Sequence, residues 1–217
     1  MQYVYNLNSA SSPEHIRDFP ISATAAVRRG QLLGFSSNAA SVSAFTYLLG
    51  VSAEDHTGTA DAFNARSNGD SIRVSCSPQA VYAANAPRIT AVSGTAASLI
   101  TDEASLSSIA ETDLSGGYIV LVSKGATSAN REAPGTVRKI TGYTAASKTF
   151  AFASGGAVSA GDVYALFPPI GCAKLTVTSD GQNVALSSVS AQQYFKCVGY
   201  DMPNGKLHVK TKSSILA

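Results

Sequence analysis

The segment Asn68-Gly69-Asp70-Ser71-Ile72-Arg73-Val74-Ser75-Cys76 decides the fold class. Its Asn-Gly pair is a turn that calls for positive φ, which both residues adopt cheaply. After the turn, Ile72 and Val74 alternate with Arg73 and Ser75. That is the period of a half-buried strand, with Ile72 and Val74 inward and Arg73 and Ser75 outward. Cys76 continues the inward series and reads as a small core residue. The same grammar recurs along the chain. Gly116-Gly117, Gly155-Gly156, Asp180-Gly181 and Asn204-Gly205 separate short apolar runs, each where a hairpin turn needs positive φ. The expected fold class is all-β: a small β-barrel or sandwich with an inserted second β domain and an extended N-terminal arm.

Composition bounds the rest. A chain of 217 residues has room for one large β domain or two small ones. Ala, Ser, Gly and Thr dominate, Trp is absent and charged residues make up only 14%. Small side chains bury little area each, so stabilisation per residue is modest and association with a larger surface is favoured. The net charge of +2 shows no basic stripe with interleaved aromatics, which argues against a nucleic-acid partner. No apolar stretch approaches the roughly 18 residues of a membrane span, and residues 1–10 lack the apolar core of a secretory signal. The three cysteines, Cys76, Cys172 and Cys197, are odd in number and lack CxxC spacing. This argues against a disulfide framework or a zinc site and for folding in a reducing compartment, a cytoplasm.

The chain divides by pattern into four segments. Residues 1–22 are an arm in which Tyr3, Val4, Tyr5 and Leu7 form an extended apolar patch. Within it Ser12-Pro13-Glu14 has the form of a helix start, stopped by Pro20. The arm either packs on a neighbouring subunit or closes an edge of its own domain. Residues 23–86 form a first β unit, with a strand from Ala26, a turn at Gly30, a second strand through Phe35, a strand over 45–51 and a long polar loop over 52–68. Residues 87–169 form the inserted β domain. Here 101–109 reads as a short helix, Arg138-Lys139 breaks a strand's alternation as a bulge, and Phe150 and Phe152 share a face. Residues 170–217 are hairpins that rejoin the first unit. In their last strand Lys206, His208, Lys210 and Lys212 alternate on one face, as on an edge strand blunted by lysines.

Catalytic motifs are missing. There is no GxSxG, HExxH, P-loop or GxGxxG. Of the three histidines, His56 has the densest acidic neighbourhood, in Glu54-Asp55-His56 with Asp61 beyond. A metal site needs several converging ligands held by supporting groups, whereas this cluster reads as a solvated loop. Asp70, Asp113, Asp162, Asp180 and Asp201 lie beside turns, where carboxylates cap backbone N–H groups. Tyr118, Tyr143 and Tyr164 read as core or interface residues. The expectation is a non-enzymatic protein with no catalytic residues, metal or cofactor.

Residues 27–34 (Val-Arg-Arg-Gly-Gln-Leu-Leu-Gly), 49–55 (Leu-Gly-Val-Ser-Ala-Glu-Asp) and 69–74 (Gly-Asp-Ser-Ile-Arg-Val) together resemble the head decoration, or cement, proteins of tailed bacteriophages. Those proteins carry a G-x-L-x-G … L-G-V-A-x-x-D … G-D-x-I-x-V rhythm on small β-barrels. Residues 131–143, with Phe150-Ala151-Phe152 and residues 160–164, resemble a β module inserted in phage virion proteins. The resemblance implies a capsid-binding protein on the outer surface of the virion. Its partners would be the major capsid protein lattice and itself, as a homotrimer or homodimer. The contact candidates are Tyr3, Tyr5, Leu7 and Ile16 of the arm and the basic positions Arg28, Arg29, Lys206, His208 and Lys210. A second reading is a tail, neck or fibre component that binds a host glycan, which a groove of clustered Tyr and Asp in 87–169 would favour.

Overall fold

A computed structural model of the chain describes residues 2–6, 16–22, 25–36, 39–41, 47–57, 71–76, 80–178 and 183–212. The described residues are almost entirely strand and turn, so the fold is all-β. Two compact units result: Met1–Ala84 with Val177–Asn183 and Val209–Ala217, and Asn85–Thr176 with Val184–His208.

In the first unit, β1 (Gln2–Asn6) pairs antiparallel with β9 (Ala80–Asn85). A second sheet combines β2 (Ile16–Pro20), β4 (Leu32–Ser36), β5 (Ala39–Ser41), β6 (Tyr47–Ser52) and β8 (Ser71–Ser75) in the order β2-β8-β6-β4-β5. A bridge between Ile21 and Ala40 brings the two ends of this sheet together. The enclosed core holds Ile21, Val27, Leu33, Ala40, Ile72, Val74 and Cys76. Two short strands, β3 (Ala26–Val27) and β7 (His56–Thr57), pair separately.

The alternation in β8 is as its sequence demands, except at one place. Ile72 and Val74 are fully buried and Arg73 is exposed, but Ser75 is buried too. Ser75 faces away from the core and is covered there by the Tyr82 hydroxyl, 3.0 Å from its Oγ, and by Gly50 of β6. A Cβ at Gly50 would sit 2.0 Å from the Ser75 carbonyl oxygen, so only glycine lets β6 and β8 approach.

In the second unit, β10 (Arg88–Gly94), β11 (Ser98–Thr101), β12 (Tyr118–Ser123), β13 (Val137–Thr144), β14 (Thr149–Phe152) and β15 (Val163–Phe167) close into a barrel, ordered β10-β11-β14-β13-β12-β15. Closure leaves none of these strands with an open edge. Cross-strand partners share a face, so Ile89, Tyr164 and Leu121 stack together, as do Leu99, Phe150 and Tyr143. All six are at least 96% buried. Beyond the barrel run β16 (Leu175–Val177), β17 (Val184–Leu186), β18 (Phe195–Asp201) and β19 (Lys206–Thr211), in the order β9-β19-β18-β16-β17.

Several expectations are corrected. Residues 16–20 are a strand, not the end of a helix. An isolated helical turn has little stability of its own, while all five residues here find partners on β8, and Pro20 is tolerated because β2 is an outer strand. The helix start at Ser12 lies outside the described residues. Residues 101–109 hold only a 3-10 turn, Ala104–Leu106, with Glu103 at its N-cap. Leu106 and Ile109 are buried, Leu106 within that turn and Ile109 beyond it. Gly30 does turn the chain, with φ +83°, but β3 pairs with β7 and β4 with β5 and β6, so no hairpin forms there. Arg138 does not break the alternation of β13. It occupies an inward position between exposed Val137 and Lys139, and the irregularity falls between Ile140 and Gly142. Gly116 and Gly205 adopt positive φ as expected, whereas Gly155 and Gly156 do not. Asn68-Gly69 and Asp180-Gly181 lie outside the described residues.

Replacing Gly50 by Val forces a branched side chain onto the β8 carbonyl. The expected cost is more than about 3 kcal/mol, read as a lower urea midpoint with an unchanged slope. The same substitution at Gly135, where an added Cβ meets nothing within 4 Å but φ is +93°, is the control for backbone strain without a clash.

Candidate functional site

The contact residues expected from sequence do not form one cluster. Tyr3 and Tyr5 lie on β1, opposite Tyr82 and Val81 of β9, so the arm closes an edge within its own chain. Leu7 lies outside the described residues. Ile16 opens β2 and is 46% exposed. Arg28 and Arg29 are exposed at the turn before Gly30, where their backbone N–H groups donate to Gln31 Oε1 (3.0 Å) and Asp55 Oδ1 (2.8 Å). Lys206, His208 and Lys210 do share one half-buried face of β19. That strand has β18 on one side and β9 on the other, which corrects the expectation of an edge strand. The Lys206 ammonium donates to Asn85 Oδ1 at 2.5 Å, a bond that a strand neighbour makes possible.

The Glu54-Asp55-His56 cluster is pulled apart by backbone partners. Glu54 accepts from the Arg73 N–H and pairs with its guanidinium at 2.6 Å. Asp55 accepts from Arg29, and His56 Nδ1 lies 2.6 Å from the Ala25 carbonyl. Asp61 lies outside the described residues. Each of these three side chains ties the segment after β6 to a neighbouring segment: β8 for Glu54, the turn before Gly30 for Asp55 and the residue before β3 for His56. Among the described residues, no three His, Cys, Asp or Glu side chains converge as metal ligands would.

The polar centre of the second unit was not singled out by sequence reading beyond Asp162 as a turn carboxylate. Asp162 is fully buried at the entry to β15. Its carboxylate accepts from the Gly125 N–H (3.0 Å), the Asn130 amide (3.0 Å) and the Ser159 N–H (3.1 Å), with the Ser128 hydroxyl as a further donor. Burial alone pushes this carboxyl upward, but the four donors outweigh it and hold the group below the usual carboxylate range. The Asn130 amide also donates to the Tyr164 hydroxyl at 3.1 Å, and Asn130 Oδ1 accepts from the Glu132 N–H at 3.0 Å.

Glu132 carries the network on to Arg138, whose guanidinium approaches its carboxylate at 2.6 Å. Arg138 also donates to the Gly156 carbonyl, and the Gly156 N–H returns to Glu132 Oε1 at 2.9 Å. The face of the guanidinium lies over the Phe152 ring, 4.5 Å from its centre. This explains Gly155-Gly156. A Cβ at either position would fall 2.6–2.8 Å from Glu132 or Asn130 side-chain atoms. The pair is required for space beside the ion pair rather than for positive φ.

Tyr143 and Tyr164 are internal. Tyr143 is 4% exposed and donates to the Leu106 carbonyl at 2.6 Å, and burial pushes both Tyr143 and Tyr164 up to about 12. Tyr118 meets Tyr200 edge-on. A cleft of about 520 Å³ opens beside the barrel, walled by Val120, Val122, Val137 and Met202 and rimmed by Asn85, Arg88 and Asn204. It contains no tyrosine or aspartate, unlike the groove that a glycan-binding reading calls for. Its segments come from five separate stretches of chain, and only Asn204-Gly205 stood out in the sequence as a turn.

No family model, no curated protein and no solved structure matches this chain.

Asp162 fixes a pH dependence. Its folded pKa lies below the unfolded value of about 3.9, so its stabilisation is complete well above that value and is lost as pH falls through the folded pKa. Asp162→Asn is expected to cost about 3 kcal/mol at pH 7, because it removes the charge that four donors converge on. Urea titrations of both proteins between pH 7 and pH 3 should show the gap narrowing at the acid end. A gap constant across that range would contradict the assignment.

Proposed function

We propose that this chain is a structural virion protein that binds the assembled coat lattice of a tailed phage and stabilises it from outside, as a decoration protein does. The observation that carries this reading is the meeting of the three resemblance segments on one sheet. Leu32 of β4 pairs with Val51 of β6, and Val51 pairs with Ser75, the residue after the 69–74 segment, on β8. Gly50 is there because β8 leaves no room for a Cβ, and Ile72 and Val74 fill the core beneath. The residues that carry the rhythm are those that set the strand contacts of this small sheet.

Two further features support the reading. Among the described residues β1 is the outer strand of its sheet, an edge that can take an added strand from a neighbouring subunit. The charged groups of Glu54, Asp55, Glu132, Arg138 and Asp162 all hold loops in place, a structural use of the polar side chains. A protein of this kind stabilises a shell by binding the assembled form alone. In this role the chain works as a homotrimer or homodimer, with the major capsid protein as partner.

Mass photometry and co-sedimentation with assembled and unassembled phage coat protein test the proposal. Binding to shells and not to free coat subunits is expected. Deleting residues 1–6 should lower shell occupancy at least about tenfold while the β circular-dichroism signal is kept. An oligomer that ignores shells and instead binds host glycans would overturn the reading in favour of a tail or fibre component.

A further inference from the structure

Cys172 and Cys197 meet across two chain segments in a way their sequence spacing does not announce. Residues 169–172 form a tight turn in which the Cys172 N–H donates to the Pro169 carbonyl at 2.9 Å and Gly171 has φ +98°. The next contacts are with β18. The Gly171 N–H donates to the Cys197 carbonyl, and the Cys197 N–H donates to the Cys172 carbonyl, both at 2.9 Å. Gly171 and Cys172 therefore oppose the single residue Cys197, a bulge led by a glycine with positive φ. Opposed residues of an antiparallel pair have Cα atoms roughly 4.5–5.5 Å apart, within the span of about 4.4–6.8 Å that a disulfide bridges. Both thiols are buried, Cys172 at 6% exposure and Cys197 at 0%. Cys76 is enclosed in the core of the first unit.

We propose that Cys172 and Cys197 are a latent cross-strand disulfide, reduced where the protein is made and closed when it meets an oxidising medium. The oxidant is a small-molecule disulfide such as oxidised glutathione. One cysteine thiolate attacks a glutathione sulfur, which breaks the glutathione disulfide, forms a mixed disulfide and releases one glutathione thiolate. The second cysteine, having lost its proton, attacks the protein sulfur of that mixed disulfide and releases the other glutathione. Two protein thiols are oxidised, one oxidised glutathione is reduced to two thiols, and the two protons go to the released thiolates. Burial pushes the Cys197 thiol up to about 12, so closure in the folded protein is slow and depends on brief opening of the segment. The bond ties the segment leaving β15 to β18, where Tyr200 donates to the Pro168 carbonyl at 2.6 Å and packs edge-on against Phe167 at 5.8 Å.

The test is equilibration of the full chain in a series of reduced-to-oxidised glutathione ratios. One arm starts from folded protein and another from refolding in the same buffers, so that slow access does not decide the result. Thiols are alkylated in denaturant and the linked peptides mapped by mass spectrometry. The expected product links Cys172 to Cys197 with Cys76 still alkylated, and the oxidised protein melts several degrees higher than the reduced one. Cys76→Ser should leave the linkage intact, and Cys172→Ser should abolish it. Linkage through Cys76, a pair that stays reduced in both arms, or an oxidised form that melts lower than the reduced one would overturn the proposal.

Discussion

The second unit depends on a carboxylate that never meets water. Asp162 is fully buried, and such a charge carries a desolvation cost of several kcal/mol. Four donors converge on it, each charge-assisted bond contributing roughly 1.5–3 kcal/mol, and the lowered pKa shows that they outweigh the burial. Gly125, Ser128 and Asn130 come from the long connection between β12 and β13, and Ser159 from the approach to β15. One buried charge thus fixes a connection that has no strand of its own. Through Asn130 the same network reaches Glu132 and then Arg138, so the inward arginine of β13 and the loop before it are positioned together.

This arrangement follows from the composition. A chain rich in Ala, Ser, Gly and Thr has few large side chains to lock one packing, and small side chains bury little area. Close backbone approach takes over part of that work. β6 lies against β8 because position 50 has no Cβ, and the 155–156 turn lies against Glu132 and Asn130 for the same reason. Dispersion rises steeply as atoms come into contact, so tight backbone packing recovers attraction that bulky residues provide elsewhere. The large residues present are concentrated where strands cross-pair, as with Leu99, Phe150 and Tyr143.

The fold class was legible because alternation is local. Ile72 and Val74 report their own burial, and Phe150 and Phe152 report a shared face. Long-range choices were not legible. Nothing in Ala26-Val27 says that its partner is His56-Thr57 rather than the strand beyond Gly30, since pairing is decided by distant chain. Ile16 to Pro20 carried a local helix cue that five strand partners on β8 overrode. Arg138 looked like a break in a pattern because charge was read as outward, whereas Glu132, a carbonyl and an aromatic face receive it inside. His208 and its lysine neighbours alternate as on an edge strand, and only the sheet order places them in the interior. The candidate site fared worst. The contact residues are spread over both units, and the cleft is assembled from segments far apart in sequence.

What the charged groups do bears on how this protein meets a partner. Glu54, Asp55 and His56 are held by Arg73, Arg29 and Ala25, so the acidic cluster serves the local turn and strand contacts. The groups left facing outward on strands include single apolar side chains such as Ile16 and Val137, at 46% and 47% exposure, and the backbone edge of β1. Each such contact is weak alone. A lattice changes the arithmetic, because one engaged contact raises the effective concentration of the next, and a symmetric oligomer repeats the same patch on every copy. Modest, distributed surfaces of this kind suit the proposed partner, which presents the same site many times.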